Sequence, residues 1–116
     1  MAWKPIHTAD ELAAVQQAAS QKPQVLFKHS TRCSISAMAK ARFERAWTTE
    51  DDARFDAHLI HVVENREVSN QVAEALDVHH ESPQLIVLHH DEVLLDQSHG
   101  EIALDEVREV IAARMS

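Results

Sequence analysis

The stretch Val25-Leu26-Phe27-Lys28-His29-Ser30-Thr31-Arg32-Cys33-Ser34-Ile35-Ser36 decides the fold. Val25-Leu26-Phe27 is a short continuous apolar run, the pattern of a strand buried on both faces in the middle of a parallel sheet. Ser30 and Thr31 supply N-cap chemistry. From Cys33 to about Trp47, the residues Ile35, Met38, Ala39, Phe43 and Ala46 recur as one helical stripe facing the core. The spacing therefore predicts a strand, a turn, and a helix that begins at or beside the chain's single cysteine.

Upstream, Thr8-x-x-Glu11 has the form of a capping box, and Leu12, Val15 and Ala19 share one helical face, predicting a first helix near 8–21 that Pro23 helps to end. Downstream, Glu50-Asp51-Asp52 reads as a solvated acidic connector. Leu59-Ile60 and Val62-Val63 centre a strand near 57–63, closed by Asn65, and Val68, Val72, Ala75 and Leu76 give a helix over about 66–77. Pro83 precedes a strand at Leu85-Ile86-Val87-Leu88, and the turn His90-Asp91-Glu92 folds it onto Val93-Leu94-Leu95 as an antiparallel hairpin. Leu104, Val107, Val110 and Ile111 mark a terminal amphipathic helix.

The resulting order is α-β-α-β-α-β-β-α. A β-α-β crossover sets its strands parallel, and a closing hairpin adds an antiparallel edge. That order predicts a thioredoxin-like α/β fold: a mixed four-stranded sheet with helices on both faces, one domain over residues 1–116.

Nineteen acidic against eleven basic residues give a net charge of -8, which argues against nucleic acid as a partner. No apolar run reaches the roughly 20 residues that cross a bilayer, and Met1-Ala2-Trp3-Lys4-Pro5 lacks a signal peptide's apolar region, so no membrane partner and a cytoplasmic address are expected. The charge is uneven. Lys22, Lys28, Arg32, Lys40, Arg42 and Arg45 fall within one short segment against Glu44 alone, and Cys33 lies inside this basic island.

One cysteine excludes an internal disulfide and a two-cysteine redox centre, so any thiol chemistry is monothiol. A helix N-terminus favours thiolate over thiol, and Arg32 adds a cation beside it. Ser36, three positions on, stands in the place of a resolving cysteine in Cys33-Ser34-Ile35-Ser36, where its hydroxyl is expected to bond the sulfur. Lone cysteines are often inert buried hydrophobes, but Ser30, Thr31, Arg32, Ser34 and Ser36 do not describe an apolar pocket.

The segments Phe27 to Ser36, Asn65-Arg66 with Ser69-Asn70, His80-Glu81-Ser82-Pro83-Gln84, and Ser98-His99 resemble the motifs of the monothiol bacilliredoxins, the YtxJ-like proteins of the bacillithiol system. The resemblance runs over nearly the whole chain. It departs at Ser34, where the family usually has proline, and at Gly100, where it usually has tryptophan. It implies a thioredoxin-like fold and removal of bacillithiol from protein mixed disulfides, with Cys33 as the redox residue and Pro83 as a cis-proline facing it. Ser82, Pro83 and Gln84 are then expected substrate-binding positions. Bacillithiol carries a malate unit, and Lys28 and Arg32 are the nearest cations in sequence for its two carboxylates. Expected partners are bacillithiolated proteins and a low-molecular-weight thiol that resolves the adduct. Bacillithiol enters as co-substrate, with no bound cofactor or metal.

Two other classes compete. A thioredoxin-like binding module would hold a peptide along the Pro83 strand without turnover. A histidine-rich metal carrier would use His79-His80 or His89-His90 with Cys33, although neighbours on an extended strand point to opposite faces.

Overall fold

The computed structural model describes residues 1–115, in which the elements run β1 (Lys4–Pro5), α1 (Ala9–Ala18), β2 (Gln24–His29), α2 (Ser34–Ala46), α3 (Thr49–Arg54), β3 (Asp56–His61), α4 (Arg66–Leu76), β4 (Gln84–His89), β5 (Glu92–Ser98) and α5 (Leu104–Met115). A 3-10 turn, His99–Glu101, joins β5 to α5. One five-stranded sheet has the order β1-β3-β2-β4-β5, with β2 parallel to β3 and antiparallel to β4.

The strand β2 is central, and all six of its residues are buried. Alternation sends Val25 and Phe27 to one face, where they meet Ala39 and Phe43 of α2 and Val107 and Ile111 of α5. Leu26 goes to the other face and joins Leu12 and Val15 of α1 and Val68 and Val72 of α4. The apolar run reads as continuous because both faces are covered. The capping box at Thr8 and Glu11 forms as the sequence predicts, each closing the other's free N–H.

Three expectations are corrected. The sheet has a fifth strand, β1, whose two residues are too few to leave a periodic signal, and Pro5 is tolerated there because the strand lies at an edge. The predicted helical stripe of α2 is rotated: Ser36, Ala39 and Phe43 are buried, whereas Ile35 and Met38 are 55% and 66% exposed. Finally, Glu50-Asp51-Asp52 is not a solvated connector but part of α3, and Asp51 is buried.

Asp51 closes a capping box on Thr48 and takes a two-pronged ion pair from Arg108 of α5, with Nε–Oδ1 at 3.0 Å and Nη2–Oδ2 at 2.8 Å. Arg108 Nη2 also donates to the Ala46 carbonyl at the end of α2. Burial alone would raise the Asp51 pKa, but the Arg108 bonds and the Thr48 N–H hold it below the usual carboxylate range. Three helices are thus tied at one buried carboxylate. On the neighbouring strands, His58 stands with its Nε2 2.6 Å from Gln24 Oε1, and burial pushes its pKa down to about 4 against a weaker pull from Asp56.

Arg108→Leu is expected to lower stability by about 3 kcal/mol, because it strands a buried carboxylate, with Asp51→Asn in the same chain recovering part of the loss; urea denaturation of the variants checks both. His58 sets the acid limb. Between pH 6.5 and about 4 the unfolded chain binds a proton that the folded one refuses. Stability therefore falls as pH drops through that window, by roughly 3 kcal/mol for this group, and a ring NMR titration of His58 with its midpoint near 6.5 in the folded protein would contradict this.

Candidate active site

Cys33 is half-buried and occupies the N-cap position of α2, with an extended backbone and no side-chain cap bond. Ser30 and Thr31, predicted to cap, instead form the turn before it, in which the Ser30 carbonyl accepts the Cys33 N–H at 3.2 Å. The sulfur stands where a cap residue usually presents oxygen, at the positive end of the helix dipole. Arg32 beside it is exposed, and among the described residues it has no ion-pair partner.

The second wall comes from the start of β4. Gln84 pairs with Lys28 in the antiparallel register, which brings Pro83 level with the end of β2. The Ser82–Pro83 peptide is cis. Ser82 Oγ is buried without a hydrogen-bond partner, and the Ser82 main-chain N–H and C=O are unpaired among the described residues. The Pro83 carbonyl is already taken by the His99 N–H at 3.1 Å. A thiol at a helix N-terminus, next to a strand start with free main-chain groups, is an arrangement suited to disulfide exchange with an extended substrate.

A family model for the monothiol bacilliredoxin BrxC matches residues 4–107. The chain belongs to the monothiol bacilliredoxin family. Among solved structures it is similar to a candidate oxidoreductase with a thioredoxin fold, at 27% identity and a TM-score of 0.78 over 92% of this chain and 91% of that one. It also resembles a thioredoxin of Malassezia sympodialis, at 14% identity and TM-score 0.75 over 99% and 92% of the two chains. Spinach chloroplast thioredoxin f, in its short form, matches at 18% identity and TM-score 0.70 over 97% and 93%. These two show the shared thioredoxin fold, while the family and the first likeness support a thiol–disulfide oxidoreductase role for this bacilliredoxin.

Three of the residues expected around the bacilliredoxin thiol have other work. Ser36 is fully buried, and its Oγ accepts the Ser30 N–H at 3.1 Å and stands 2.7 Å from His29 Nδ1. It braces the turn that carries Cys33 and makes no bond to the sulfur. Lys28, two residues from Leu26, shares its face and so points to the α4 side of the sheet, where it is fully buried. Its Nζ donates to the Ser69 carbonyl at 2.9 Å and to His80 Nδ1 at 3.0 Å, so its ammonium is not a surface cation for carboxylates. Burial pushes the Lys28 pKa down to about 8, opposed by the charge of Asp96. Gln84 is likewise buried, donating to the His79 carbonyl at 2.9 Å and Asp96 Oδ1 at 2.8 Å and accepting from the Glu81 N–H at 3.3 Å. Lys28 and Gln84 therefore hold the 79–83 loop in place, with their polar groups engaged inside the fold.

The residues that sequence reasoning missed are the partners in this frame: His29, Ser69, His80 and Asp96. His29 lies on the α2 side of the sheet, and burial, with Lys40 and His61 adding to it, lowers its pKa. The signal was in β2 itself, since Lys28 and His29 continue a strand buried on both faces and so require buried partners. The two histidine pairs differ: His79 faces Glu81 at 3.8 Å while His80 Nδ1 accepts the hydrogen bond from Lys28 Nζ, whereas the rings of His89 and His90 stay together, their centroids 4.2 Å apart. A groove of about 740 Å³ lined by Pro23, Arg54, Ile111 and Met115 lies at the opposite end of β2, away from Cys33.

Ser36→Ala is expected to lower stability by about 1–3 kcal/mol, by leaving buried groups unpaired, while the reactivity of Cys33 toward a chromogenic disulfide stays within about twofold. Lys28 predicts an alkaline limb of the same sign as that of His58. Between pH 8 and 10.5 the unfolded chain holds a proton that the folded one releases, so stability gains a contribution as pH rises through that range. Denaturant titrations of the parent and Lys28→Met across it should show the rise reduced in the variant.

Proposed function

We propose that this bacilliredoxin removes bacillithiol from protein mixed disulfides through the Cys33 thiolate. The observation that carries the reading is the placement of the chain's single cysteine at the N-cap of α2, half-exposed beside the free guanidinium of Arg32, in a chain matched by the bacilliredoxin model over residues 4–107.

The Cys33 thiolate attacks the bacillithiol sulfur of the mixed disulfide. A Cys33–bacillithiol disulfide forms, the protein–bacillithiol S–S bond breaks, and the protein thiolate leaves with the electron pair and takes a proton from solvent. With no second cysteine in the chain, a bacillithiol thiolate or a partner's thiolate then attacks the adduct and releases Cys33. Neither step consumes a bound cofactor. Arg32 is the cation that remains available for the malate carboxylates once Lys28 is committed to Ser69 and His80. The unpaired N–H and C=O of Ser82 bind the substrate backbone as an added strand, and Pro83 shapes the edge beside them. The partners are accordingly bacillithiolated proteins, and the setting is a reducing cytoplasm.

Incubation with oxidised bacillithiol should give an intact-mass increase of one bacillithiol adduct, lost in Cys33→Ser, and that variant should release no thiol from a bacillithiolated protein. An unmodified parent protein would leave a binding module as the reading. Arg32→Glu should slow attack on a bacillithiol disulfide about two- to fivefold more than attack on a neutral disulfide, with the excess fading at high salt. Equal slowing of both reactions would remove Arg32 from recognition of the bacillithiol carboxylates.

A further inference from the structure

Exchange at Cys33 makes no use of the outward face of α2. Ile35, Met38, Arg42 and Arg45 recur at steps of three, four and three residues, which places them in one stripe along the helix. All four are exposed, Ile35 at 55% and Met38 at 66%. The core is served by a different stripe, Ser36, Ala39 and Phe43. Burial thus explains neither the isoleucine nor the methionine.

The charge on this face is equally selective. Glu44, the helix's one acid, is turned to the other flank, where Lys40 Nζ and the Trp3 indole N–H bond its carboxylate at 2.8 and 2.7 Å. Arg45 has no ion-pair partner among the described residues, and Arg42 donates one hydrogen bond, to the Ile102 carbonyl at 3.1 Å. A chain of net charge -8 therefore presents, from Cys33 outward, two large apolar side chains followed by two guanidinium groups. Two side chains make too small an apolar patch for a stable dimer but suit a transient contact, for which a flexible methionine adapts well.

We propose that this face docks the protein substrate. It seats an apolar side chain that flanks the modified cysteine on Ile35 and Met38, sets nearby carboxylates over Arg42 and Arg45, and so selects acidic substrate segments. The proposal rests on the redox reading of Cys33. Geometry fixes the spacing: at about 1.5 Å per helical residue, the arginines lie roughly 14–18 Å along the axis from Cys33. An extended substrate at about 3.3 Å per residue covers this in four or five residues.

The test uses synthetic peptides whose cysteine carries either a 2-mercaptoethanol or a bacillithiol cap. Each has leucine two residues from the cysteine and either two glutamates or two lysines four and five residues from it, on either side in turn. At low salt the parent protein should release thiol from the better glutamate peptide about two- to fivefold faster than from its lysine counterpart, with the neutral cap as well as with bacillithiol. Arg45→Glu should bring that ratio to one or below, and Met38→Ser should slow both peptides. Both variants should keep the parent rate on a small neutral disulfide. Arg54→Glu, on α3 and outside this stripe, controls for net charge and should leave the ratio unchanged.

Equal rates on acidic and basic peptides, or the same response to Arg45→Glu and Arg54→Glu, would overturn the docking face. The two proposals fail separately. The acidic-to-basic ratio on neutral-capped peptides reads the face, whereas the bacillithiol-to-neutral ratio on one peptide reads the preference for bacillithiol.

Discussion

Everything near the thiol depends on a strand that has no solvent on either side. All six residues of β2 are buried, and three of them, Gln24, Lys28 and His29, are polar. A polar group in that position is unfavourable by several kcal/mol unless it is hydrogen-bonded, so the surrounding elements are committed to satisfying it. Gln24 is held by His58, Asp56 and the Lys22 carbonyl at one end of the strand. At the other end, Lys28 reaches Ser69 and His80 on one face, and His29 reaches Ser36 on the opposite face. The turn to Cys33 leaves directly from this locked end.

The same constraint divides the labour among residues that look alike on the page. Lys28 and Arg32 are both cations within five positions of Cys33, yet one is a fully buried strut and the other lies in solvent. Ser36 and Ser82 are both small hydroxyl residues near the site. Ser36 is consumed by the frame, while Ser82 leaves its main chain open at the mouth of β4. The turn that carries Cys33 is thus braced by Ser36 and the loop that carries Pro83 is pinned by Lys28 and Gln84, with no hydrogen bond from these side chains to the sulfur.

Charge follows a similar logic at larger scale. The acids of α3, which read as solvent-facing, include the carboxylate that ties α2, α3 and α5 together through Arg108. Glu44 is likewise drawn inward by Lys40 and Trp3. Asp51 and Glu44 are thus both engaged in pairings, while Arg32 and Arg45 have no ion-pair partner among the described residues and Arg42 donates one hydrogen bond, to the Ile102 carbonyl, so the segment from Arg32 to Arg45 presents cations to solvent despite the net charge of -8.

By itself the sequence determined the fold class, because the apolar run of β2, the capping box at Thr8, the Pro83 strand and the hairpin after it are local signals whose order admits few topologies. It also placed the single cysteine at a strand-to-helix junction, since that depends only on the change of period from 25 to 47. Two-residue β1 escaped because it has no period to read, and α3 because its acids mask a capping box. The tertiary structure alone decided which side chains around Cys33 are free. Spacing gives the face of a residue relative to its own element, but whether that face meets solvent depends on which distant element covers it. Only the packing of α4 and the 79–83 loop over Lys28, and of α2 over His29, settled that the lysine and Ser36 are frame and that Ile35, Met38 and the arginines are surface.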